Sequence, residues 1–236
     1  MTEMTLAMLK SKLKKIEQLK FVSTHRAGDT GIGKTLEDLL EIKENNIPLC
    51  DIGKEAELKA YRKDATSMLT LFTLEPKPQG GDRDRFLLDN FGYKKRKNAR
   101  AKELHSTVIC SKENNQDLKL EVQENKISVF GSGTDLKIFW DFEILEQKFK
   151  VKLPALVYVL ADRQMIKDKE HFHFNEAYLL SGFDFKSFKQ MVRSDHIVVD
   201  FRMYYRPNGS VRNHGTAFRV KINKLYDCFE NKVRLI

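Results

Sequence analysis

The run Ala155-Leu156-Val157-Tyr158-Val159-Leu160-Ala161 is apolar at every position, and it constrains the fold more than any other stretch. A strand with one wet face alternates apolar with polar residues, whereas an unbroken apolar run of this length reads as a strand covered on both faces. This segment is therefore expected to be the central strand of a sheet. Around it the sequence writes both periods. Helical spacing appears over residues 4–20, where Met8, Leu9, Leu13, Ile16 and Leu19 stand among lysines, and behind the Gly31-Ile32-Gly33 turn, where Leu36, Leu39, Leu40 and Lys43 recur. It appears again over 86–91, 141–150 and 185–193. Asn45-Asn46-Ile47-Pro48 is expected to end the second helix, because proline lacks an N–H and holds its predecessor extended. Between His105 and Trp140 short alternating segments separated by Asn and Gly turns predict an antiparallel meander. The mixture predicts an α/β fold with a mixed (α+β) sheet.

With 236 residues the chain is long enough for one large domain or two lobes sharing a core. Hydrophobic residues at 41% against charged residues at 32% exclude a disordered chain. No apolar run approaches the ~20 residues of a membrane span, and the lysine-rich N-terminus lacks the apolar core of a signal peptide, so a cytoplasmic protein is expected. Cys50, Cys110 and Cys228 lie far apart without a CxxC pair, which argues against a disulfide framework or a zinc knuckle. His171 and His173 alternate on a strand with no third ligand in view, and a structural role is expected. The formal charge of +9 favours a polyanionic partner through counterion release.

The chemistry concentrates in Glu37, Asp51 and Glu57-Leu58-Lys59. Alternation points Glu57 and Lys59 to one face of a strand and Leu58 to the other. Asp51 ends a short apolar segment, and Glu37 comes from the preceding helix. In this arrangement nucleases of the PD-(D/E)xK type hold a divalent metal against a phosphodiester. Leu49–Ile52 and Glu55–Tyr61 are expected as short strands about Gly53, with Ser67–Thr73 as the neighbouring strand. Singly, Asp51 also reads as a turn aspartate and Glu57 with Lys59 as a surface ion pair.

Gly28-x4-Gly33-Lys34-Thr35 formally satisfies the phosphate-cradling P-loop pattern. That pattern needs a buried strand immediately before it, and Ser23-Thr24-His25-Arg26-Ala27 is polar. The competing reading is a turn into the Glu37 helix, with Arg26 and Lys34 available to DNA phosphates. Tyr93 to Lys102 is the strongest basic run and a candidate phosphate clamp. Near the end, Ile197–Arg206 reads as a strand, Pro207-Asn208-Gly209-Ser210 as a turn and His214–Val220 as the return strand. The resulting two-stranded ribbon carries Arg202, Arg206, Arg212, His214 and Arg219, donors suited to a DNA groove.

Taken together, Gly28–Glu41, Glu57-Leu58-Lys59, Leu69–Thr73 and His214-Gly215-Thr216-Ala217-Phe218-Arg219 resemble the MvaI/BcnI family of type II restriction endonucleases, itself related to the mismatch-repair nickase MutH. The resemblance implies a PD-(D/E)xK restriction-endonuclease-like core, with catalytic and recognition lobes around a DNA cleft. The catalytic lobe would be mainly 1–92 with part of 151–195, and the recognition lobe mainly 93–150 and 196–236. It implies a monomer acting on double-stranded DNA at a five-base-pair pseudo-palindrome, with Mg²⁺ as cofactor, cutting one strand at a time. A cognate cytosine methyltransferase would be its genetic partner. Asp51 and Glu57 match the metal carboxylates, joined by the Leu58 carbonyl; Lys59 matches the active-site lysine and Glu37 the helix carboxylate. Five residues separate Asp51 from Glu57 where relatives tend to show four, so a longer turn at Gly53-Lys54 is expected, or Glu55 replaces Glu57. Arg202, His214 and Arg219 match base-reading positions. Relatives that read CC-S-GG carry histidines at the positions of Thr73 and Ala217, so threonine and alanine point to CC-W-GG. Three other readings stand beside this one: a MutH-like repair nickase, a non-catalytic DNA-binding protein, and an NTPase using Gly28–Thr35.

Overall fold

The computed structural model describes residues 4–42, 50–95 and 101–236; the expected helix stop at Asn45–Pro48 and the middle of the basic run, 96–100, lie outside the described residues. In chain order the elements are α1 (Leu6–Gln18), β1 (Val22–Ser23), α2 (Gly31–Leu39), β2 (Glu57–Arg62), β3 (Leu69–Thr73), α3 (Gly81–Phe91), β4 (Glu103–Val108), β5 (Leu118–Val122), β6 (Lys126–Gly131) and β7 (Ile138–Asp141). They continue with α4 (Phe142–Lys152), β8 (Ala155–Ile166), β9 (Lys169–Ser181), α5 (Phe185–Arg193), β10 (Ile197–Tyr205), β11 (Val211–Asn213), β12 (Ala217–Val220) and β13 (Asn231–Arg234). The mixed α/β class matches the expectation. The chain divides into two compact units, one of residues 1–67, 150–183 and 226–236 and one of 68–149 and 184–225.

In the first unit the sheet runs β1-β9-β8-β2, with β13 also pairing with β9. β8 is inside it, antiparallel to β9 and parallel to β2. The fully apolar run is covered on both sides. Val157, Val159 and Ala161 join Leu9, Leu13, Ile16, Ile32, Leu36, Phe172 and Phe174 in a core beneath α1 and α2. Fully burying each such Leu, Val or Phe side chain stabilises by ~1.5–3 kcal/mol, which is why the helices sit here. On the opposite face Tyr158, 2% exposed, packs between Tyr61 and Tyr226, tilted to the first and edge-on to the second, with ring centroids 6.1 and 6.2 Å away. Thr5 caps α1 by accepting the Met8 N–H, leaving the lysines of its outer face in water. His171 and His173 reach backbone carbonyls, of Lys169 and Glu17 respectively.

In the second unit β10 is central, with β4 along one edge, β11 and then β12 along the other, and β3 beyond β12. Three expectations change here. The strand 69–73 is not the neighbour of Glu57–Arg62: β3 pairs with β12, and β2 with β8. The meander is only β5-β6-β7, because β4 leaves it for β10. The two-stranded ribbon is the middle of a five-stranded sheet whose return strand breaks at His214-Gly215-Thr216, where Gly215 takes φ +93°. An aromatic core of Phe72, Phe149, Phe188, Phe218 and Trp140, with ring centroids 5.2–6.5 Å apart, underlies this sheet.

Candidate functional site

β2 is an edge strand, and this decides what its polar groups can do. Its Glu57 is 4% exposed, and Glu57 Oε1 accepts from Lys59 Nζ at 2.6 Å. Strand alternation places both on the face opposite the core-facing Leu58. The N–H of Leu58 does not enter the ladder; it donates to Asp51 Oδ2 at 3.0 Å. Because N–H and C=O of a strand residue leave by the same edge, the Leu58 carbonyl faces the Asp51 side too. Asp51 is brought back by a tight reversal: Ile52 pairs with Ala56, and Gly53 and Lys54 take φ of 52° and 61°. The residues between Asp51 and Glu57 form that turn. Glu55 sits in the turn, exposed to solvent, while Glu57 makes the lysine contact.

A residue absent from the sequence reading completes the cluster. Lys152 Nζ, from the last residue of α4, lies 3.5 Å from Glu57 Oε2, so the two oxygens of one buried carboxylate face two different ammonium groups. Cys50 lies beside them: burial chiefly, then the negative charge of Glu57, pushes its thiol up. Glu37 rides on α2, which packs against β2, and is partly buried. Among the described residues no three His, Cys, Asp or Glu side chains gather as a metal cluster. A divalent ion would instead meet two carboxylates and a backbone carbonyl, an all-oxygen set that suits hard cations such as Mg²⁺, which keep several waters.

The glycine loop does not form a phosphate cradle of the P-loop kind. The strand before it is the two-residue β1 at the sheet margin. The Thr35 hydroxyl donates to Gly31 O at 2.7 Å and accepts from His25 N at 3.0 Å, and Lys34 Nζ pairs with Asp38 Oδ1 at 2.8 Å. Lys34 and then His25 hold the Asp38 carboxyl below its usual range. Arg62 pins the loop by donating to the carbonyls of Gly28 and Asp29 while paired with Glu170 at 2.7 Å. Arg26 is exposed on the same loop.

In the second unit, alternation along β10 puts Asp200, Arg202 and Tyr204 on one face. Cross-strand register adds Thr107 and His105 from β4, Arg212 from β11 and Ala217 from β12. Thr73 lies opposite Ala217. Asp200, 3% exposed, organises this face. It accepts from Arg202 Nε at 2.7 Å, Arg219 Nη1 at 2.8 Å and the Thr107 hydroxyl at 3.0 Å. The Arg202 side chain is 51% exposed and that of Arg219 only 17%, with Arg219 Nη2 also donating to Met68 O. Arg202 thus offers its outer donors to solvent, and Arg219 is largely enclosed. His214 is exposed beside Tyr204, ring centroids 5.7 Å apart. Arg206 and Arg212 are exposed at the hairpin end. Asp200 and His105 escaped the sequence reading. The one signal for Asp200 is a lone acid inside an apolar strand two residues from an arginine.

No curated protein matches the sequence. Among solved structures, the restriction endonuclease MvaI in complex with its cognate DNA superposes with a TM-score of 0.85 at 28% identity over 98% of both chains. MvaI in the absence of DNA gives 0.56 at 27% identity over the full length of both. The MvaI/BcnI restriction endonuclease family matches over residues 10–229. A buried Glu-Leu-Lys edge strand with its returning aspartate, an arginine-bearing sheet face, and a match over nearly the whole sequence converge on one conclusion: this chain belongs to the MvaI/BcnI restriction endonuclease family.

Proposed function

We propose that the protein hydrolyses phosphodiester bonds of double-stranded DNA at a short pseudo-palindrome, with Mg²⁺ as cofactor and one strand cut at a time. The observation that carries this reading is the cluster on β2: Glu57 buried against Lys59, and Asp51 returned to the same edge by the Gly53-Lys54 turn. Asp51, Glu57 and the Leu58 carbonyl would hold the ion. A Mg²⁺ bound there supplies Lewis acidity, neutralising phosphate charge and acidifying a water. Lys59 orients the attacking water and offsets the negative charge that builds on the phosphate. In-line attack forms the new P–O bond as the bond to the 3′ oxygen breaks, leaving 5′-phosphate and 3′-hydroxyl ends. Glu37 acts from α2 as a further carboxylate beside the strand.

For recognition, Arg202 is the leading base reader, since its exposed donors match guanine O6 and N7, a pair that gives ~1–3 kcal/mol of discrimination. His214 and Arg219 flank it, and Arg26, Lys34, Arg206 and Arg212 position the backbone through phosphates. Thr73 and Ala217 are cross-strand partners, so the two positions that distinguish CC-S-GG readers sit together. Their small side chains support CC-W-GG with an A·T centre. We further propose a monomer, with a cytosine methyltransferase as its genetic partner. The test is plasmid cleavage with Mg²⁺ by Asp51→Ala and Lys59→Met. Each is expected to lose roughly 10²–10⁴-fold in rate while still binding DNA. Cleavage by either at the wild-type rate would remove that residue from the site. Sequencing the ends of the digest reads the site directly.

A further inference from the structure

Glu57 has both carboxylate oxygens faced by ammonium groups, one from its own strand and one from a distant part of the first unit. Lys59 shares its strand and face, and the 2.6 Å contact to Oε1 follows from alternation alone. Lys152 owes nothing to that strand: it is 95 residues away, at the end of α4, and its side chain is only 18% exposed. Asp51, Glu57, Lys59 and Lys152 together make a neutral set of two acids and two bases. Adding a dication to the two acids brings that set to a formal +2 around a carboxylate that is 6% exposed, where screening by water is weak. The looser of the two ammonium contacts, 3.5 Å against 2.6 Å, is the one a cation displaces more readily.

We propose that Lys152 is a resident counter-ion of this site: its ammonium competes with a divalent cation for Glu57 Oε2, so that it sets how tightly the cation binds. The inference rests on the reading of Asp51 and Glu57 as the cation's carboxylates. Lys152 acts through Glu57, as a positioning residue.

The test is calorimetric titration of the full chain with Mn²⁺ in the absence of DNA, for wild type, Lys152→Met, Lys152→Gln, Lys152→Arg and Asp51→Ala. Removing the ammonium is expected to tighten Mn²⁺ binding roughly tenfold, a difference of ~1.4 kcal/mol. Lys152→Arg should stay within about twofold of wild type by keeping the charge. A merely structural lysine would give the opposite sign, since loss of packing loosens a preformed site. Equal or weaker binding in both the Met and Gln variants, with Asp51→Ala abolishing it, overturns the counter-ion role and leaves the cation site standing. Asp51→Ala binding like wild type overturns both.

Discussion

Asp200→Ala is the sharpest perturbation of the arginine-bearing face. The carboxylate is 4% exposed and accepts three hydrogen bonds. The Arg202 share is discounted, because that side chain is half in water and exposed pairs are worth ~0–1 kcal/mol. The Arg219 share dominates: its side chain is 17% exposed, and its Nε is already buried without a hydrogen-bond partner. Losing Asp200 would strand Nη1 beside it. Removing one partner of a buried pair costs ~3–5 kcal/mol; partial exposure places this case near the lower end, about 3 kcal/mol. For a chain of this size that lowers Tm by roughly 6–12 °C, from ~2–4 °C per kcal/mol. Trp140 is the only tryptophan, 2% exposed and donating to Leu74 O, so its fluorescence reports unfolding of the second unit. The mechanism is tested by Asp200→Ala with Arg219→Met. If the cost is a stranded guanidinium, the double variant is more stable than the sum of the single losses predicts, by about 2 kcal/mol. Losses that add to within ~0.5 kcal/mol, or a single-variant Tm change below about 3 °C, would refute the reasoning.

Two further changes in the first unit follow from local geometry. A Cβ on Gly31 would lie 2.2 Å from Arg26 O and 2.7 Å from Thr24 Oγ1, whereas one on Gly33 meets nothing within 4 Å; thermal melts should show Gly31→Ala destabilised by ~1–3 kcal/mol and Gly33→Ala stabilised by ~0.5–1 kcal/mol. Glu170 has its carboxyl lowered from 4.5, first by the Arg62 hydrogen bond. A depressed folded value means its charge contribution is complete above about 4.5 and is lost as pH falls through the lower folded value. The Tm gap between wild type and Glu170→Gln should therefore be flat from pH 6 to 8 and close below about pH 4.5; a gap that widens on acidification contradicts the Arg62 clamp.

Why some of this was legible in the sequence and some was not comes down to distance along the chain. Glu57 and Lys59 meet because of a two-residue strand period, and Gly53-Lys54 announces a turn by its own chemistry. α5 and the covered strand β8 are likewise written locally, in a 3.6 period and an unbroken apolar run. Strand partnership is not local: β3 alternates correctly, but nothing in Leu69–Thr73 says that its partner lies at Ala217–Val220, beyond roughly 140 intervening residues whose loop closure adds little cost per residue. The nearer strand Glu57–Arg62 is the partner that local order favours, and the fold pairs it with β8 instead. β4 went to β10 for the same reason, turning an apparent ribbon into a sheet and giving Arg202 a histidine opposite it in His105.

The two residues that most change the chemistry were hidden in a different way. Lys152 reads as one more cation in the last turn of a helix, where lysines favour the dipole. Asp200 reads as the single acid of β10. Each acquires its role only through a partner of opposite charge brought close by the fold: Glu57 for Lys152, and Arg202 with Arg219 for Asp200. A buried charge costs far too much to persist unpaired, so an acid or base in an apolar context is a request for a partner the sequence does not name. Lys59 and Arg202 could be chosen from pattern alone, because each stands two residues from its acid on the same strand. Lys152 could not, and Arg219 is legible as a ribbon cation but not as the partner of Asp200; in each cluster this second cation, from another element, adds a further contact to the buried carboxylate.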